Sequence, residues 1–190
     1  MAEKILTLDD LLKMSQPERR QVMMNAHPIN VDALDKTMYR GIDLSLPKIM
    51  NMILWKTFRK TFVRDPQTGD IRGWNVRMEQ TGWEGPGKPK TNSKGKQISF
   101  GHYRVRPAKG IKWPRGWKGE QYLDYTIAGN HWYDPGAPGF CPLVAVNSGS
   151  NELLLGWEML KFGPVFIPLP DFWALKLEGP LDVVEPVPCP

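Results

Sequence analysis

A mainly β fold, an antiparallel up-and-down barrel or strongly curled sheet preceded by two to three helices, is what this sequence predicts. Three observations carry the prediction. The hydrophobic period is helical near the N-terminus and changes to two from Thr57 onward. Strand-like segments then follow one another, separated by Gly, Pro, Asn or Ser clusters and with no helical crossover, which makes a meander. With 18 glycines, 18 prolines and 8 tryptophans in 190 residues, the composition also favours many turns and short strands. Closing a meander removes its two exposed edges, and a small eight-stranded barrel can enclose one ligand. The length suits a single domain: residues 1–58 helical, 59–180 a β meander, 181–190 an extended, poorly ordered tail.

The helices come first. Thr7-Leu8-Asp9-Asp10 and Ser15-Gln16-Pro17-Glu18 each place a hydroxyl three residues before a carboxylate, the pattern that satisfies the free amides of a first helical turn. They predict helices over 8–14 and 16–25. A third is expected from Ser45-Leu46-Pro47, with Leu46, Ile49, Met50, Ile53 and Leu54 at helical spacing. Strands are expected at 61–64 and 71–80, joined by the turn Asp65-Pro66-Gln67-Thr68-Gly69-Asp70. Further strands are read at 97–106, 121–128, 143–147, 153–161, 164–168 and 172–178. Residues 81–96, rich in Gly, Pro, Lys and Ser, read as a mobile loop.

Charge is unevenly placed. Ten lysines and arginines and no acid lie between Gly85 and Gly119; without them the balance of 25 basic and 20 acidic residues becomes 15 against 20. A patch of this kind suits a polyanion or an anionic surface. Its best-defined part carries Lys109, Lys112, Trp113, Arg115, Trp117 and Lys118, where tryptophans among cations could stack on bases or sit at a membrane interface. Two cysteines, Cys141 and Cys189, are too few for a disulfide framework and point to a reducing compartment. No basic segment followed by an apolar run opens the chain, and no apolar stretch reaches membrane-span length, so a soluble cytoplasmic protein is expected.

Tyr39-Arg40-Gly41, followed by Leu54-Trp55-Lys56-Thr57-Phe58, resembles the opening of a group of small bacterial lipocalin-like proteins with a G-x-W-x-G segment, a helix and a W-x-G-K-x-F segment. The first Trp and second Gly of G-x-W-x-G are absent here, and Thr57 follows Lys56 where the group reads Gly-Lys. Leu153-Leu154-Leu155-Gly156 and Phe172-Trp173-Ala174-Leu175 are similar to the closing hairpin of such barrels. The resemblance implies a barrel with helical decoration at its N-terminus and carries over no functional residue.

Three functional readings stay open. In the first, the barrel holds an apolar or amphiphilic small molecule, with Trp74, Arg77, Tyr103, Arg104, Tyr125 and Trp157 as its contacts and a basic rim for an anionic group. In the second, His102, Asp124 and Glu158, all in strand-like segments, move a proton in a cofactor-independent lyase, isomerase or cyclase. In the third, residues 104–118 bind nucleic acid or an anionic membrane surface. The sequence contains no GxSxG, P-loop or HExxH motif, and His27, His102 and His131 are too far apart to give ligand spacing. None of the three readings therefore names a cofactor or a metal.

Overall fold

A computed structural model describes residues 4–45, 56–134 and 136–188. The expected capping boxes form. Thr7 and Asp10 exchange hydrogen bonds, the Asp10 amide donating to the Thr7 hydroxyl at 3.2 Å and the Thr7 amide to the Asp10 carboxylate at 2.8 Å. They open α1 (Leu8–Lys13). The Glu18 carboxylate accepts from the Ser15 amide at 2.7 Å and opens α2 (Gln16–Asn25). The helix expected from Ser45 lies outside the described residues apart from Ser45 itself. Among the described residues no helix is long and apolar enough to cross a membrane.

Eight strands close into one antiparallel barrel, each paired with its neighbours in sequence and the last with the first. They are β1 (Thr37–Asp43), β2 (Thr57–Arg64), β3 (Ile71–Arg77), β4 (Ser99–Pro107), β5 (Gln121–Asp124), β6 (Phe140–Asn147), β7 (Ser150–Phe162) and β8 (Val165–Pro180). The expected barrel is present, with strand ends shifted by up to four residues, β5 ending at Asp124 rather than 128 and β2 beginning at Thr57 rather than 61, and with two larger differences. Residues 37–43, expected within the helical segment, form β1, which pairs Gly41 with Leu175 of β8 and so closes the sheet. The strands expected at 164–168 and 172–178 are one strand, carried through Pro168 and Pro170 by the edge of a projecting ribbon. The strand count comes out as expected because one strand was missed and another was split.

Alternation divides the buried side chains by face. Inside the barrel, Tyr39, Phe62, Tyr103, Leu123, Leu143, Leu154 and Leu175 form one cluster, closed at one end by Ile29 and Leu34. Outside, α1 and α2 bury Leu8, Leu11 and Met23 against Val144, Val146, Leu153 and Leu155. Residues 108–118 fold back over the same wall, where Trp113 stacks on Phe140 at 5.3 Å. A third cluster, Val63, Trp74, Val76 and Met78, also lies on the outer wall, against Leu181.

Both segments expected to be loose are docked. The Arg40 guanidinium donates to the carbonyl of Gly85 at 2.8 Å and lies over the Trp83 ring, pinning the loop that precedes β4. Glu185 is buried, with its carboxylate 2.8 Å from Lys96 and its carbonyl accepting from Arg72 at 2.9 Å. The tail through residue 188 therefore lies against the barrel wall rather than hanging free.

Candidate functional site

The end of the barrel opposite Ile29 and Leu34 is polar inside. Its centre is Lys60. On β2 the side chains of Phe58, Lys60 and Phe62 point inward while Arg59 faces out to Glu178 at 2.7 Å. The Lys60 ammonium reaches across the interior, donating to the Tyr125 hydroxyl at 2.5 Å and to Asn75 Oδ1 at 2.7 Å. Four rings surround it, with centroids at 4.6 Å for Trp173, 4.8 Å for Tyr103, 5.2 Å for Tyr125 and 5.4 Å for Phe58.

Glycines make the room these rings need. A Cβ on Gly41 would stand 2.2 Å from the Phe58 ring, one on Gly73 2.6 Å from the Tyr103 ring, one on Gly139 2.8 Å from Tyr125 and one on Gly156 2.1 Å from Trp173. Each wall of the cage thus rests on a residue with no side chain. Three of the four glycines sit on strands directly opposite or beside the ring they admit.

Charge at this end is mixed. Glu158 projects inward from β7 and accepts from the Trp173 indole N–H at 3.1 Å, retaining partial solvent access. Asp171 lies buried near the start of the barrel portion of β8, with its Oδ1 unpartnered among the described residues and its carboxyl group against that of Asp43. Arg77 faces inward by alternation with Gly73 and Asn75. Among the described residues no carboxylate lies in ion-pairing contact with Lys60.

Burial sets the proton affinities. It pushes the Lys60 amine down to about 8, against the pull of Cys141 and Glu158, which favour the charged form. It raises the Glu158 carboxyl, with Lys60 opposing, and raises Asp171 further through the neighbouring Asp43 carboxylate. The Tyr125 hydroxyl and the Cys141 thiol are likewise pushed well up by burial. An amine that can lose its proton thus faces carboxyls that can keep theirs, in one water-poor space.

Of the residues singled out from the sequence, Tyr103, Tyr125, Glu158 and Arg77 reach this interior. The others do not, and strand alternation is the reason. His102 faces outward, its ring 6.0 Å from Trp74, and burial together with Arg72 pushes it down to about 4. Asp124 also faces out and caps a turn, accepting from the Thr126 hydroxyl at 2.6 Å. Trp74 packs on the outer wall, as does Trp157, whose indole donates to the Leu169 carbonyl at 2.8 Å. Arg104 is held outside by Asp65 at 3.1 Å.

Comparison with protein-family models, curated proteins and solved structures finds no match. The geometry therefore carries the functional argument alone.

The basic loop resolves into two kinds of residue. Lys109, Lys112, Arg115 and Lys118 are exposed. Trp113 and Trp117 are buried, 4.9 Å apart edge to face, with Trp113 also against Tyr122 and Phe166. Neither offers a free ring face for stacking on a base, so the aromatic part of the expected nucleic-acid surface is core. Lys60, Asn75, Trp173 and Asp171 were missed by sequence reasoning. The usable signal for Lys60 was its place between Phe58 and Phe62 on the more apolar face of β2.

Proposed function

We propose that the protein binds a small organic molecule at the polar end of its barrel, with the molecule's polar head taken by Lys60. One observation carries this reading: a lysine wholly enclosed by protein, held by a phenol, an amide and four rings, with no carboxylate in ion-pairing contact among the described residues. Desolvating an ammonium is costly, and a fold that needed only packing at this position would be served by leucine. Lys60 and Tyr125 can donate to a carbonyl or carboxyl oxygen, and Asp171 Oδ1 and Glu158 can accept from a hydroxyl. The head that fits therefore carries an oxygen acceptor facing Lys60 and Tyr125, as a carbonyl does. The buried, free Cys141 suits the reducing, cytoplasmic setting we assign to it.

Organic extraction of the purified protein, followed by mass spectrometry, tests the reading. Wild type is expected to yield an oxygen-bearing compound that Lys60→Met lacks. A wild-type protein that yields no compound, and takes none up from a metabolite and lipid extract, overturns it.

A second reading, proton transfer on the bound molecule, is favoured by the raised Glu158 and Asp171 carboxyls beside Lys60. A carbonyl polarised by Lys60 and Tyr125 has an acidified α-proton, and a carboxylate across the site can remove it. Bound ligand incubated with protein in deuterium oxide is then expected to gain deuterium at carbon. Glu158→Gln or Asp171→Asn should slow this at least tenfold. Exchange at the same rate in both variants removes the carboxylates from that role.

A further inference from the structure

The inner wall of the barrel does not stop at its mouth. Along β7 the positions in line with inward-facing Leu154 run Gly156, Glu158, Leu160 and Phe162, and along β8 those in line with inward-facing Leu175 and Trp173 run Asp171, Leu169, Ile167 and Val165, across a register shift between Trp157 and Met159. Beyond the level of Glu158 and Asp171 the two strands continue as a ribbon, pairing Leu160 with Ile167 and Phe162 with Val165, and the β7 side is tied to the barrel by a Gly139–Leu160 bridge and by the Lys161 amide donating to the Pro138 carbonyl at 2.8 Å. Phe166, on the other face of the ribbon, packs on Phe140 at 5.4 Å and on Trp113 at 5.9 Å, which fixes the ribbon against the barrel. The face that continues the inner wall is apolar and open: Phe162 is 53%, Val165 55% and Ile167 42% exposed. No residue from 161 to 170 is buried, and the only charge among them is Lys161.

The opposite direction is closed to a ligand. Below Lys60, Tyr39, Phe62, Tyr103, Leu123, Leu154 and Leu175 fill the interior, each at 0% exposure. A molecule whose head reaches Lys60 has no space beneath it, and the rest of it must leave through the mouth.

We propose that Leu160, Phe162, Val165, Ile167 and Leu169 are the seat of an unbranched apolar tail, so that the ligand is an amphiphile bound head first with its tail along the ribbon. This rests on the reading that Lys60 takes the head. From Glu158 to Phe162 the strand advances about 13 Å at 3.3 Å per residue, room for a medium-length alkyl chain. Contact on one side removes part of each methylene from water, so each one adds less than the full-burial value.

Alkan-2-ones of six to twelve carbons, titrated calorimetrically, provide the test. Affinity for wild type is expected to rise about twofold to threefold per methylene and to level off once the chain outruns the ribbon. The combined variant Phe162→Ser, Val165→Ser, Ile167→Ser changes only exposed side chains; it should bind hexan-2-one like wild type and show a flat dependence on chain length. Lys60→Met should lose affinity for every ketone alike. Chain-length dependence that survives in the triple variant overturns the tail seat. Lys60-dependent binding with no chain-length dependence in wild type also overturns it, and leaves the head-group reading standing. Ketone binding unaffected by Lys60→Met overturns the head-group reading itself.

Discussion

Replacing Trp113 with alanine is expected to destabilise the fold by about 3 to 5 kcal/mol, the cost of deleting a large buried aromatic that its surroundings cannot refill. Trp113 touches Trp117, Tyr122, Phe140 and Phe166, and its indole donates to the Ala108 carbonyl at 3.2 Å. These contacts come from three strands and the loop itself, so no single movement closes the gap. Truncation also loosens the 108–118 loop and removes one of the contacts, through Phe166, that hold the β7–β8 ribbon. The neighbouring cations should behave oppositely: Lys109→Ser, Arg115→Ser and Lys118→Ser are expected to change stability by no more than about 0.5 kcal/mol each. Urea denaturation of the four variants reads both effects. A loss below about 1 kcal/mol for Trp113→Ala would mean that the loop does not pack on the wall in solution.

That contrast shows what the sequence could and could not disclose. The barrel was legible because alternation and turn residues are local: each strand from β2 onward carries its own signal. β1 was not, since neither alternate set of Thr37-Met38-Tyr39-Arg40-Gly41-Ile42-Asp43 is uniformly apolar: Arg40 stands between Met38 and Ile42, and Tyr39 is followed by Gly41 and Asp43. The role of Gly41 is visible only once Phe58 is known to lie over it.

The site failed for a related reason. In β4, His102, Arg104 and Arg106 alternate with Gly101, Tyr103 and Val105, and nothing local says which set faces in. Both sets therefore supplied candidates, Tyr103 as well as His102 and Arg104, and only the tyrosine faces Lys60. Trp113 misled in the same way, because a tryptophan among lysines reads alike whether its ring is free or buried. Lys60 itself lay outside the basic window that drew attention. Its meaning depends on Tyr125 and Trp173, far along the chain, and on the glycines that let those rings approach.

The burial of Lys60 has a measurable signature in pH. Its amine, ordinarily near 10.5, is held down to about 8 in the folded chain because the charged form is desolvated. A lysine that binds its proton less tightly when folded penalises folding while it is charged. The penalty is complete below pH 8, shrinks as pH rises through the interval between the two values, and is gone above 10.5. Wild type is therefore expected to gain about 2 kcal/mol relative to Lys60→Met between pH 7 and pH 9.5. Taking the difference between the two proteins matters, because Cys141 and Asp171, both raised by burial, work in the opposite direction as the pH climbs. They are present in both proteins, and their contribution largely cancels. Stopping at 9.5 keeps Tyr39, Tyr103 and Tyr125 protonated in the folded protein, where burial holds all three above the ordinary 10.0, and mostly protonated in the unfolded chain. Urea denaturation at the two pH values gives the four stabilities needed. Parallel profiles for the two proteins would show that Lys60 is solvated when folded, and the cage at the centre of the proposed site would not be the closed one described. A converging profile would establish that the fold carries a desolvated charge, a cost that a ligand's oxygen at Lys60 would repay by joining Tyr125 and Asn75 around the ammonium.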